Sequence, residues 1–228
     1  MSSIVSIDIG LRTLSIYKEY FDTDKAKLIK YPKHCYDKLG EATEEMKQYV
    51  DNVGSCGTVA FIVKKDLGEK KDYFSGKALH NLFSFLDDID RQNIFDDVEV
   101  IIIERQMLQN RIATALMFNI QSWFMITYGP FKKVVLYPSK NKTRVLGAPL
   151  KKENESGKAQ KVDKAFRKKW STLRAFQILS VREDENTIDY IFNLNKSKKD
   201  DLSDVITQCL SYNILKLKKA ENKSSGKE

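Results

Sequence analysis

Residues 3–21 read SIVSIDIGLRTLSIYKEYF. Two apolar runs rich in β-branched residues, 3–9 and 13–21, flank Gly10-Leu11-Arg12, the pattern of two strands joined by a tight turn. Asp8 interrupts the first run. An ionised carboxylate buried without a partner costs several kcal/mol or takes up a proton. This strand therefore needs either hydrogen-bond donors or a cation for Asp8.

Outward from that stretch, residues 25–31 predict a third strand before Pro32. Residues 33–76 are mixed in pattern, with a helix expected at 41–52 and a strand at 58–63, and are read as an insertion. Leu79, Leu82, Phe83, Leu86 and Ile89 recur at helical spacing across 78–91. Val100-Ile101-Ile102-Ile103 is a compact run suited to a strand buried on both faces, and Glu104 closes it. A helix is predicted from about residue 108 to 128, with Ile112, Leu116, Ile120 and Trp123 on one stripe and Gly129-Pro130 as its stop. Val134–Tyr137 makes another short strand, ended by Pro138.

Residues 147–164, GAPLKKENESGKAQKVDK, are polar and predict a mobile loop. Phe166, Trp170, Leu173 and Phe176 restart a helix that also carries Lys164, Arg167, Lys168 and Lys169. The last helix, to about residue 217, buries Leu202, Val205, Ile206, Cys209 and Leu210, and residues 218–228 form a charged tail. Strands first, then strands alternating with helices, predict one α/β domain over residues 1–217, a mixed β-sheet flanked by α-helices.

Composition narrows the function classes. Lysine and arginine number 39 against 31 acids, a net charge of +8 that favours polyanionic partners. No apolar run reaches the length of about 18 residues that a membrane span needs, so no membrane partner is expected. The first strand is expected to begin by Ile4, which leaves no room for a signal or transit peptide unless one has been removed. Three scattered cysteines, Cys35, Cys56 and Cys209, predict a reducing intracellular compartment rather than a disulfide framework. His34 beside Cys35 lacks the paired ligand spacing of a zinc site.

Asp8, Glu104, Asp201 and Asp204 gain meaning as a set. Each alone has an ordinary account: backbone donors for Asp8, a strand-end ion pair for Glu104 with Arg105, and the positive end of a helix dipole for Asp200, Asp201 and Asp204. Together, at the centre or ends of core elements in a basic chain, they would repel one another without a cation. Two divalent ions about 3.5–4 Å apart would relieve that repulsion and support in-line phosphodiester chemistry. All-oxygen ligands favour Mg2+, with Mn2+ able to substitute.

The motifs S-I-D-I-G, I-I-I-E-R-Q and K-K-D-D-L-S-D, in that order, resemble the RuvC-type Holliday junction resolvases of the ribonuclease H-like superfamily. The I-E-R-Q and K-K-D-D-L forms are most similar to the branch found in poxviruses, other large DNA viruses and fungal mitochondria. The resemblance spans about residues 3–32 and 78–217. It implies a ribonuclease H-like mixed sheet, with Asp8, Glu104, Asp201 and Asp204 as ligands of two Mg2+ ions. The spacing of Asp200 and Asp204 leaves the pair 200/204 open beside 201/204. The family's lysine after a strand-ending proline falls on Lys142, with Lys140 in reserve.

The implied activity is paired nicking of four-way DNA junctions, leaving 5′-phosphate and 3′-hydroxyl ends, by a homodimer that matches the junction's two-fold symmetry. Lys140, Arg144, Lys164, Arg167, Lys168 and Lys169 are the expected phosphate contacts. Trp123, Phe124, Phe83, Phe85 and Leu86 offer interface material, with core packing as the alternative. The viral branch implies the host cytoplasm at the site of viral replication, the fungal one the mitochondrion. Three rivals stand beside this reading: an actin-like ATPase, which ten glycines and no glycine-rich phosphate loop disfavour; a ribonuclease H acting on RNA–DNA hybrids; and a non-catalytic nucleic-acid-binding protein of the same fold.

Overall fold

The structure is a computed structural model that describes all residues except 70–75, 154–157, 195 and 225–228. Its elements in chain order are β1 (Ser2–Ile9), β2 (Thr13–Phe21), α1 (Thr23–Lys27), α2 (Glu44–Gly54), β3 (Gly57–Asp66), α3 (Lys77–Asp90), β4 (Val100–Arg105) and α4 (Arg111–Tyr128). There follow β5 (Lys133–Pro138), α5 (Ser139–Arg144), β6 (Lys151–Glu153), β7 (Ala159–Lys161), α6 (Lys164–Ser180), α7 (Glu185–Phe192) and α8 (Lys196–Ser224). The main sheet has the order β3-β2-β1-β4-β5, antiparallel from β3 to β1 and parallel from β1 to β5.

Alternation along each strand splits the core into two layers. Val5, Ile7 and Ile9 of β1, with Ile101 and Ile103 of β4, face α3 and α4. Ile4 and Ile102 face the other way, against the apolar stripe of α8 (Leu202, Val205, Ile206, Cys209, Leu210) and against α2 and α6. Asp8 shares this second face, because it lies four residues from Ile4. Both flanks of the sheet are covered, and the fold is the mixed β-sheet flanked by α-helices that the sequence predicts.

Three local expectations change. Residues 25–31 are not a strand: Asp22 caps a short helix through the Lys25 amide, and the chain then turns away from the sheet. The third strand is instead Gly57–Asp66, which contains the strand expected at 58–63 within the segment read as an insertion; it pairs with β2 over nearly its whole length, with a bulge opposite Lys18 and Glu19. Residues 70–75 of that segment lie outside the described residues. Within 147–164, expected as a loop, Lys151–Glu153 and Ala159–Lys161 pair as a small hairpin, while 154–157 are not described. The last helix runs on to Ser224, through most of the residues expected as a tail.

The aromatic residues offered as interface material are largely internal. Phe124 and Leu86 are fully buried, and Trp123 packs edge-on against Phe95 and Phe124 while its indole nitrogen donates to Asp87. The exposed apolar side chains of α4 are Phe118, Met125 and Ile126.

Polar contacts fix α8 across the sheet. The Gln208 amide nitrogen donates to Ser6 Oγ at 3.0 Å and to the Ile7 carbonyl at 3.1 Å. Farther along, Asn213 donates to Glu19, which also receives Arg182 and the Tyr17 hydroxyl in a wholly buried network. Gln208→Ala removes the polar link next to Asp8 and leaves Ser6 without it. It should lower stability by about 2 kcal/mol, the cost of stranding buried polar groups, measurable by urea denaturation.

Candidate active site

β1 and β4 run parallel with Ile7 beside Ile103, so their next residues, Asp8 and Glu104, stand side by side on the α8 face at the carboxyl ends of both strands. Glu104 in turn lies beside Tyr137 of β5, and across β2 Asp8 lies opposite Ser15, which lies opposite Lys64 of β3. One transverse row, Lys64–Ser15–Asp8–Glu104–Tyr137, thus crosses all strands of the sheet on one face. The first turns of α8 pass over it.

Pro138 ends β5 and α5 begins at once, which swings Lys142 back over this row. Its ammonium donates to Glu104 Oε1 at 3.0 Å and to Asp204 Oδ2 at 2.7 Å, and stands 3.9 Å from Asp8 Oδ1. Ser171 Oγ of α6 donates to the other Asp204 oxygen at 2.7 Å, and Gln106 Nε2 to Glu104 Oε2 at 3.2 Å. Burial raises the Asp8 pKa well above the usual carboxylate range, neighbouring Glu104 adds to this, and Lys142 only partly offsets it. Burial pushes Glu104 in the same direction, but a hydrogen bond with Asp8 and the charge of Lys142 outweigh it and hold Glu104 low. For Lys142 burial favours the neutral amine, yet three carboxylates keep it firmly protonated.

Of the sequence-derived residues, Asp8, Glu104, Lys142 and Asp204 are brought together. Asp201 lies one turn earlier on α8 and is held apart from them: Lys64 Nζ donates to its Oδ2 at 2.6 Å and Thr13 Oγ1 at 3.2 Å. A Cβ on Gly10 would collide with that threonine hydroxyl, so the turn after β1 suits glycine. Asp200 points elsewhere, to Lys168 at 3.1 Å and Thr172 at 3.3 Å on α6. Among the described residues no three His, Cys, Asp or Glu side chains form a ready-made metal cage. The donor set still fits hard divalent cations: carboxylate oxygens converge, and the centre is already occupied by a positive charge, that of Lys142.

The expected phosphate contacts separate into two groups. Lys140, Arg144 and Arg167 line one cavity of about 260 Å³ with Lys161 and Leu150, next to the helix that carries Lys142. Lys164 and Lys169 are exposed on α6, while Lys168 is engaged with Asp200. Sequence reading missed Lys64, Thr13, Ser15 and Ser171. Their signal is weak, because a lysine in an edge strand or a serine in a basic helix ordinarily faces water. Only the strand register shows that Lys64 shares the face of Asp8.

No protein-family model matches this chain. Uncharacterized protein 170L of Invertebrate iridescent virus 6 is 34% identical over 185 residues, covering 75% of this chain and 73% of that protein. The chain belongs to the family of protein 170L. Uncharacterized protein 97L of Invertebrate iridescent virus 3 is 31% identical over 145 residues, covering 63% of this chain and 62% of its own length. Among solved structures, the Fowlpox virus resolvase in complex with its substrate Holliday junction DNA superposes with a TM-score of 0.53 at 16% identity, over 92% of this chain and 96% of that one. RuvC of T. thermophilus, in complex with a Holliday junction substrate, gives 0.49 at 10% identity, over 93% and 96% of the two chains. The fold of this 170L-family member is thus shared with the fowlpox resolvase.

Proposed function

We propose that this chain is a metal-dependent endonuclease that resolves four-way DNA junctions. The observation that carries the reading is the convergence of Asp8, Glu104 and Asp204 on one buried lysine at the carboxyl ends of adjacent parallel strands. The likeness of the fold to a resolvase described with its Holliday junction substrate supports it. So does the cationic cavity beside α5, which suits a phosphate backbone.

Asp8, Glu104, Asp204 and Asp201 are the residues that would hold divalent metal, Mg2+ or Mn2+, and with metal bound the site supplies in-line hydrolysis of a phosphodiester. Lys142 lies where it can face the scissile phosphate and stabilise the charge that builds on it. Ser171 and Gln106 keep Asp204 and Glu104 oriented through hydrogen bonds. Asp200, turned toward α6, is left out of the ligand set. The viral relatives favour the large-DNA-virus branch, and with it action in the infected host cell. Among the described residues no helix is long and apolar enough to cross a membrane.

The test compares cleavage of a four-way junction, a linear duplex and an RNA–DNA hybrid in Mg2+, with Asp8→Asn as control. Preference for the junction is expected; equal or faster cleavage of the hybrid would overturn the substrate assignment. Junction affinity should fall steeply with salt as counterions are released, with a slope of about −0.9 per neutralised phosphate. Replacing Lys140, Arg144 and Arg167 with alanine should flatten that slope by about two units or more, read from filter binding at a series of salt concentrations. The junction's symmetry calls for two copies, and the exposed Phe118, Met125 and Ile126 of α4 provide apolar surface for pairing. Sedimentation should give twice the 26.3 kDa chain mass, and a cruciform plasmid should be linearised rather than nicked.

A further inference from the structure

We propose that Lys64 is a built-in stand-in for metal at Asp201: its ammonium neutralises that carboxylate in the metal-free protein and competes with a divalent cation for it. The inference rests on the metal-dependent reading above and adds a residue to it.

Lys64 belongs to an edge strand, where a lysine ordinarily extends into water. Its side chain is instead 7% exposed and ends 2.6 Å from Asp201 Oδ2. Burying most of a lysine costs desolvation, and the carboxylate it meets compensates that cost. The neighbouring position in the row makes the same point independently. Ser15, between Lys64 and Asp8, is 1% exposed, and its hydroxyl has no hydrogen-bond partner among the described residues. A buried hydroxyl left unpaired beside an acid and an ammonium marks a place where a further polar ligand is accommodated.

Lys142 provides the parallel. It enters from α5, beyond the β5 edge, and stands among Asp8, Glu104 and Asp204, whereas Lys64 enters from the opposite edge and pairs with Asp201. The four acids therefore face two ammonium groups in the absence of metal, one for each cluster. Without them the carboxylates would repel one another or take up protons. The two lysines differ in consequence, since Lys142 is shared among three of the acids while Lys64 meets Asp201, the acid held apart from them. Relieving Asp201 of Lys64 should thus expose a cation site without dismantling the rest.

Mn2+ titration by calorimetry on the full chain, at constant pH, tests this. Lys64→Met keeps the length and removes the charge; it should tighten Mn2+ binding by about tenfold, the factor that corresponds to about 1.4 kcal/mol. Lys64→Arg, which keeps the charge, should bind Mn2+ as the parent does. Circular dichroism on each variant verifies that it is folded. If Lys64 only orients Asp201, Lys64→Met will weaken Mn2+ binding, and if it is a structural ion pair the affinity will not move; either result overturns the stand-in role. Parent and Lys64→Met alike taking up no Mn2+ would instead overturn the metal-dependent reading itself, and this inference with it.

Discussion

Asp8→Asn should reduce junction cleavage by at least about 1,000-fold while leaving junction affinity within about twofold of the parent. Asparagine keeps the shape and hydrogen-bonding capacity of the side chain but loses the negative charge that would draw a divalent cation to the centre of the site. Lys142 keeps its contacts with Glu104 and Asp204, so the fold around the site is retained. The basic residues proposed to meet phosphate, Lys140, Arg144 and Arg167, line a separate cavity, so binding should persist. Glu104→Gln, Asp201→Asn and Asp204→Asn should behave alike. Asp200→Asn should stay active, because its carboxylate is turned toward Lys168 and Thr172. Single-turnover cleavage and gel-shift titrations, run on the same preparations, check both halves. An active Asp204→Asn enzyme would remove that residue from the ligand set, and an inactive Asp200→Asn would put Asp200 into it.

Lys142→Ala should slow cleavage by about 100-fold or more, the loss expected when a preorganised charge facing a developing negative charge is removed. A second effect separates this lysine from a surface cation. Without its ammonium, Asp8, Glu104 and Asp204 face one another with no positive charge between them. Lys142→Ala should therefore melt at a lower temperature than the parent in a chelating buffer and regain more than the parent on addition of Mg2+. Differential scanning fluorimetry with and without Mg2+ measures that difference directly. If Lys140→Ala were instead the slow variant, the assignment after Pro138 would shift by half a helical turn.

Much of the framework is legible in the sequence because it rests on local pattern. The β1–β2 hairpin follows from alternation around Gly10, and β4 from an uninterrupted apolar run bounded by Glu99 and Glu104. The periodic stripes of 78–91 and 108–128 correspond to α3 and α4, with ends displaced by a few residues. What escapes depends on distant partners. Residues 25–31 carry enough apolar character for a strand, but Asp22 caps a helix there and the sheet edge is taken by 57–66 instead. Asp8, Glu104, Asp204 and Lys142 rest on motif resemblance as much as on chemistry, and the structure brings their side chains together, while Asp201 is held by Lys64. Lys64 was invisible because nothing local distinguishes a lysine that points at an acid on α8 from one that points at water. The register Asp8–Ser15–Lys64 distinguishes them, and register is a property of the paired strands, not of either alone.

The placement of the acids along the chain has a consequence in time. Asp8 is made well before Asp201 and Asp204, since β1 spans Ser2–Ile9 and α8 begins at Lys196. Synthesis at about 5–20 residues per second puts roughly ten seconds or more between them. During that interval the nascent chain holds Asp8, Glu104 and Lys142 but lacks the helix that carries the remaining acids and covers one face of the sheet. Under the proposed function, a chain halted or cut before α8 is harmless to DNA, and the capacity to cut is switched on only when α8 docks. On that reading, docking of α8 over the sheet and arming of the nuclease are one event.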